Sequence, residues 1–276
     1  MTSFQQLKTT SADGTTIQLY RWNESGKINL FLVHGYASHA QRLNRFAESL
    51  AELGYRVTAL DLRGHGQSMG ARGEIDLWLR YTEDILAAIA SIRAPFFAIA
   101  QGSGALSFLS TMQESITPKL QGVILANPLI GTIQKSSLVK TLLLRFLPRL
   151  PLSLKKQQGF RWDQLSFDHS INESYKNDPS CFSDTSIRFL NLMFAAQAHV
   201  RAYAQLYHYP LLMLISANDS IADPEITKDF YQQYAGRKQQ KEFLRSAHLL
   251  LEDQEYLQAI DEIHTWISQQ EKRGES

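Results

Sequence analysis

Residues 95–112 read PFFAIAQGSGALSFLSTM, an apolar run from Pro95 to Ala100 that breaks at Gln101-Gly102-Ser103-Gly104. A short run with no polar alternation suits a strand covered on both faces, as in a parallel sheet. Four other runs have the same character: 29–34 (NLFLVH), 56–61 (RVTALD), 121–126 (QGVILA) and 210–216 (PLLMLIS). Between them, Leu43, Phe46, Leu50 and Leu53 recur at helical spacing, and so do Ile85, Ile89 and Ile92. Strands alternating with amphipathic helices predict a doubly wound α/β sheet. Ahead of it, Thr-rich residues 8–22 flank Asp13-Gly14, a pair favoured in tight turns, which predicts an antiparallel hairpin at the sheet edge.

The composition sets the outer limits. The chain has 276 residues, 44% of them hydrophobic, with 28 Lys+Arg against 27 Asp+Glu for a net charge of +1. That much apolar residue without low complexity excludes disordered, collagen-like and coiled-coil readings, and predicts one domain with an insertion. A near-zero net charge leaves no global basic field for a nucleic-acid backbone. The single cysteine, Cys181, cannot close an internal disulfide, and a reducing compartment is expected. The first 22 residues lack a basic start followed by an apolar segment, and no run approaches the ~18 apolar residues of a spanning helix. The expectation is a cytoplasmic protein, with peripheral membrane contact open.

One stretch interrupts the alternation. From 131 to 207 the pattern turns mostly helical before strand chemistry resumes at Pro210, predicting a cap inserted over one end of the sheet within a single domain spanning 1–276. It contains SSLVKTLLLRFLPRLPLSLKKQQGFRW (136–162), and between Glu114 and Asp163 eight Lys and Arg occur without one acid. A basic, leucine-rich stretch fits an element lying on anionic lipid, or one framing a long apolar pocket. A cap helix with its lysines in water is the plainer alternative. Pro148 and Pro151 divide it into two short helices.

In open α/β sheets, chemistry collects at the carboxyl ends of the strands. There stand His34-Gly35-Tyr36-Ala37-Ser38-His39, Asp61-Leu62-Arg63-Gly64-His65-Gly66-Gln67-Ser68, Gln101-Gly102-Ser103-Gly104, Asn218-Asp219 and, after KEFLRS, Ala247-His248. At these residues the chain resembles the α/β-hydrolase superfamily, in its monoacylglycerol lipase and lysophospholipase branch, over nearly its whole length. His34-Gly35 with His39 resembles the family's oxyanion loop, DLRGHGQS (61–68) its Asp-x-x-Gly-x-Gly-x-Ser turn, and RGEIDLWLRYTEDILAAI (72–89) the helix that follows. The order elbow, acid, histidine is that of the superfamily. The resemblance implies an α/β-hydrolase fold with a helical cap and hydrolysis of esters of single-chain lipids, without metal or cofactor. It implies Asp219 as orienting acid and His248 as base, with main-chain N–H groups of Tyr36 and Ser103 as the oxyanion hole. It also places His34, Gly35, Leu143 and Phe146 against substrate. Asp223 is a rival for the acid, since Asn-Asp-Ser at 218–220 is also turn chemistry.

The elbow departs from the pattern. Gly-x-Ser-x-Gly falls on Ala100, Gln101, Gly102, Ser103 and Gly104, so glycine occupies the nucleophile position. Shifting the register to make Ser103 the nucleophile would require small residues at 101 and 105, and 101 is Gln. Gly102 is therefore the preferred elbow residue. A substituted enzyme, a non-catalytic lipid-binding relative, and an esterase or peptidase using Ser103 are all compatible with this sequence. His34, His39 and His65 could also suggest a metal, but no further ligand spacing supports one.

Overall fold

The structure, a computed structural model, describes residues 3–114, 119–133, 155–157, 161–182 and 184–274. β1 (Phe4–Thr10) and β2 (Thr16–Trp22) form the N-terminal hairpin. Its loop turns through Gly14 at φ +85°, with Ser11 N–H donating to Thr15 O at 2.8 Å. β3 (Ile28–Val33), β4 (Tyr55–Leu60), β5 (Phe96–Gln101) and β6 (Leu120–Ala126) follow. A small antiparallel pair, β7 (Lys155–Gln157) with β8 (Asp184–Ser186), lies apart from the main sheet. β9 (Leu211–Ser216) and β10 (Lys238–Phe243) complete it. The eight-stranded order is β1-β2-β4-β3-β5-β6-β9-β10, parallel throughout except where β2 meets β1 and β4.

Seven helices occur among the described residues: α1 (Asn44–Glu52), α2 (Leu79–Ala90), α3 (Ser103–Glu114), α4 (His169–Asn177), α5 (Ile187–Ala202), α6 (Pro224–Gln233) and α7 (Tyr256–Gly274). Side chains alternate across a strand, so β2 to β6 and β9 each feed two cores. Phe31 and Val33 of β3 face a core containing Ile85 of α2, Phe108 of α3, Phe189 of α5 and Phe230 of α6. Leu30 and Leu32 face the other, with Phe46 and Leu50 of α1 and Ile263 and Trp266 of α7. This two-faced burial is what the unbroken apolar runs encode. The architecture is the α/β-hydrolase fold.

Several boundaries differ from the sequence reading. Leu53 is 46% exposed, because α1 stops at Glu52 and Gly54 turns the chain at φ +92°. The helix expected over 72–89 begins only at Leu79. In KEFLRS the strand ends at Phe243 and Leu244 points outward. The region 131–207 includes the β7–β8 ribbon as well as α4 and α5. Most of the basic, leucine-rich segment, including Leu143 and Phe146, lies outside the described residues. No helix among the described residues is long and apolar enough to cross a membrane.

Candidate active site

The elbow sits between the last residue of β5 and the first of α3. Gly102 occupies it at φ +57°, a left-handed conformation that costs a Cβ-bearing residue energy and glycine almost nothing. Its N–H donates to Ala126 O at 3.0 Å, and its carbonyl accepts from Leu129 N at 2.9 Å. A Cβ built on Gly104 would collide with the carbonyl oxygens of Val33 and His34, so position 104 favours glycine, and Ala100 is fully buried. These small residues flank Gly102. Gln101 fits because its side chain turns behind the elbow, where Oε1 accepts from Leu251 N–H at 3.0 Å.

Two loops converge on Gly102. His248, in the loop after β10, has Nε2 3.0 Å from the point where a Cβ on Gly102 would stand, and Gly35 Cα lies 3.8 Å from the same point. His248 Nδ1–H donates to Asp219 Oδ2 at 2.8 Å, while Asp219 Oδ1 accepts from the N–H groups of Ile221 at 2.8 Å and Ala222 at 3.1 Å. The rival acid is used elsewhere. Asp223 caps α6, accepting from Glu225 N at 3.0 Å and Ile226 N at 3.3 Å. Ser103 is the first residue of α3 and lies beside the elbow, one position beyond Gly102.

The loop after β3 carries His34 to His39. Burial pushes the His34 imidazole down to about 3, so it is neutral at ordinary pH. Nδ1–H donates to Gly35 O at 2.7 Å and Nε2 accepts from Leu62 N–H at 3.0 Å, so both ring nitrogens serve the backbone. The His65 imidazole is likewise pushed down to about 3 by burial, its Nδ1–H donating to Arg63 O at 2.9 Å. The Tyr36 ring packs 4.3 Å from Phe189 and 5.3 Å from Phe182, centroid to centroid. Asp61 ties the loops together, accepting from Ala40 N at 2.7 Å and Gln67 N at 2.8 Å. His39, Asp178 and Cys181 place ligand-type atoms within 4.8 Å of one another. Arg42 already stands 3.8 Å from Asp178, and burial holds the Cys181 thiol up at about 12, so this group reads as an ion pair beside a protonated thiol.

A left-handed elbow, a carboxylate-bound histidine aimed at it and the Gly35 backbone beside it resemble a hydrolase constellation. The model of the family "Serine aminopeptidase, S33" matches residues 25–255. The chain belongs to the serine aminopeptidase S33 family. Its fold is that of the α/β-hydrolases, and monoglyceride lipases are among the proteins it is similar to. Monoglyceride lipase of Rattus norvegicus is 28% identical over 94% of this chain and 88% of its own length. An uncharacterized abhydrolase domain-containing protein of Dictyostelium discoideum is 26% identical over 80% of this chain, which spans only 24% of that longer relative. The crystal structure of Paleococcus ferrophilus monoacylglycerol lipase superposes with a TM-score of 0.80 at 22% identity, covering 98% of this chain and 99% of that one.

The S33 scaffold here relies on residues that the sequence did not single out. Asn127, at φ +43° after β6, donates through Nδ2 to Ser216 Oγ (2.9 Å), Ala247 O (3.0 Å) and His248 O (2.9 Å), and accepts from Ser216 N–H at 2.7 Å. It thereby fixes the histidine loop to the strand that bears the acid. The only sequence signal is Asn-Pro directly after an apolar run. Asp253 accepts from Ala247 N–H at 2.7 Å and Ser166 Oγ at 2.7 Å, joining the histidine loop to the segment before α4. Glu252 is buried, its carboxyl pushed up to about 7 chiefly by desolvation. Tyr175 of α4 donates to it at 2.7 Å, and Tyr175 Oη also meets Ser38 Oγ at 2.8 Å. Arg42 stacks 4.0 Å from the Tyr175 ring, its Nε 3.6 Å from Glu252.

Proposed function

We propose that this chain binds esters of single-chain lipids, monoacylglycerols or lysophospholipids, in an S33 hydrolase cleft, and that Gly102 removes the acyl-enzyme route from it. The observation that carries this reading is the glycine at φ +57° facing Nε2 of an Asp219-bound His248. In a serine hydrolase the histidine takes the hydroxyl proton, the carboxylate orients the ring and main-chain N–H groups hold the oxyanion. Here Asp219, His248 and the N–H groups of Tyr36 and Ser103 take those roles, and the hydroxyl is missing. The lipid assignment is supported by the names of the rat and Paleococcus ferrophilus enzymes. A leucine-rich cap that would house an acyl chain supports it further.

The test is fluorophosphonate labelling with long-chain monoester turnover, on this chain and on Gly102→Ser. Labelling gained only by Gly102→Ser, with its turnover far above that of the unsubstituted chain, is the expected result. Labelling of the unsubstituted chain would transfer the nucleophile to Ser103 and overturn the reading of Gly102. Failure of a fluorescent monoacyl ester to bind either protein would overturn the lipid assignment.

The eight positive charges between Glu114 and Asp163 support a cap that touches anionic membrane from the cytoplasmic side. Co-sedimentation with vesicles should then rise with anionic lipid and fall with salt. Indifference to both would refute it.

A further inference from the structure

We infer that this chain retains a slow hydrolase activity of its own, in which His248 activates a water molecule that attacks the ester directly. The inference rests on the ligand class proposed above and adds a reaction to it. Three features of the site lead to it.

First, the base is armed without the nucleophile. With Nδ1–H committed to Asp219 at 2.8 Å, the neutral imidazole carries its lone pair on Nε2. Both Asp219 oxygens are engaged, one by His248 and the other by Ile221 and Ala222 N–H, so the ring is held in this tautomer whatever stands at 102. Second, Nε2 lies against Gly102, with the Gly35 backbone close to the same point. The nearest atoms to the Cβ point of Gly102 are His248 Nε2 at 3.0 Å, His248 Cε1 at 3.7 Å and Gly35 Cα at 3.8 Å. Glycine on both sides removes the side chains that would otherwise keep a water or a small ester carbonyl from this point. Third, the oxyanion donors are backbone N–H groups of Tyr36 and Ser103, so losing the nucleophile's side chain leaves them in place.

The step balances without a covalent enzyme intermediate. A water oxygen forms a bond to the ester carbonyl carbon as Nε2 takes one of its protons, and the carbonyl oxygen becomes an oxyanion held by the two N–H groups. The bond from carbon to the alcohol oxygen then breaks. The imidazolium returns the proton to the departing alkoxide, giving fatty acid and alcohol with His248 neutral again. In proteases stripped of their triads, oxyanion hole and binding alone leave on the order of 10³–10⁴-fold catalysis over water. An intact base should place this chain at or above that range.

The experiment follows a long-chain monoacyl fluorogenic ester under the purified chain, His248→Ala and Asp219→Asn, each prepared identically and checked for folding by near-ultraviolet circular dichroism. The expected result is turnover on the order of 10³-fold or more over buffer, linear from the first turnover with no burst of alcohol, and unaffected by prior fluorophosphonate treatment. His248→Ala should fall at least tenfold, and Asp219→Asn, which keeps the ring but loses its orientation, should also fall. A stoichiometric burst or inhibition by fluorophosphonate would overturn the inference in favour of a serine nucleophile. Turnover at the buffer rate, with a fluorescent monoacyl ester still bound, would overturn it while leaving the proposed ligand class standing. Absence of both binding and turnover would remove the ligand class as well.

Discussion

Replacing Gly102 with serine tests the elbow most directly, because the structure sets opposite signs for stability and chemistry. The new Cβ would sit at φ +57°, where a non-glycine residue costs roughly 1–2 kcal/mol. It would also stand 3.0 Å from His248 Nε2. A serine hydroxyl bonded to that nitrogen at about 2.8 Å needs its Cβ about 3.5 Å away, so the ring must retreat by about 0.5 Å. For a chain of this size, each kcal/mol lowers Tm by about 2–4 °C, so Gly102→Ser should melt roughly 2–8 °C below the parent. Chemistry should move the other way. Loss of the nucleophile in a serine protease costs about 10⁶ in kcat, which bounds the gain when one is supplied, and the misfit at His248 should hold it below that ceiling. Differential scanning fluorimetry, fluorophosphonate labelling and long-chain ester hydrolysis on the same samples read all three effects. An unchanged or raised Tm, together with no labelling, would refute the geometry, since residue 102 would then face neither His248 nor a left-handed turn.

The two acids separate cleanly. In the Gly102→Ser background, Asp219→Asn should cut turnover by about 10⁴-fold through loss of the imidazole's orientation. Asp223→Ala should lower stability by about 1 kcal/mol as a lost helix cap, with turnover retained; the reverse outcome would make Asp223 the acid. Gly104→Ala drives a methyl into the carbonyls of Val33 and His34 and should cost about 1–3 kcal/mol in urea unfolding, whereas a neutral substitution would show that α3 does not pack there as described. Glu252 is raised from 4.5 to about 7 in the folded chain, so the folded state binds more protons than the unfolded one between those values. Its contribution should therefore be fully present below about pH 4.5 and lost as pH rises through 7, and Glu252→Gln should flatten that part of the stability profile measured by urea titration.

Most of the fold is legible from residue pattern because two-sided burial leaves a strong signature. Leu30 to Val33 and Leu211 to Leu214 are unbroken apolar runs since each face of the sheet meets its own layer of helices. The elbow is legible too, through the spacing of Ala100, Gly102 and Gly104 after a strand. What escapes is whatever depends on a long-range partner. Gln101 looks too large for an elbow until its amide is seen to reach Leu251, 150 positions away. Asn127 carries only an Asn-Pro step, and Asp253 and Tyr175 no local pattern, because they hold partners on distant segments. Leu53 shows the converse error, an apolar residue in helical phase that falls beyond the end of its helix.

Asn127 has a further consequence for how such a site can change over time. Its amide fixes the histidine loop and the acid strand to each other through bonds that involve nothing at residue 102. Acid and histidine are thus held to each other through the Asn127 side chain, while the elbow is tied to the same segment through main-chain bonds to Ala126 and Leu129. Removing a side chain at 102 therefore leaves the bonds of Asn127 to the histidine loop untouched. The Asp219–His248 pairing is therefore held by the scaffold without any side chain at residue 102.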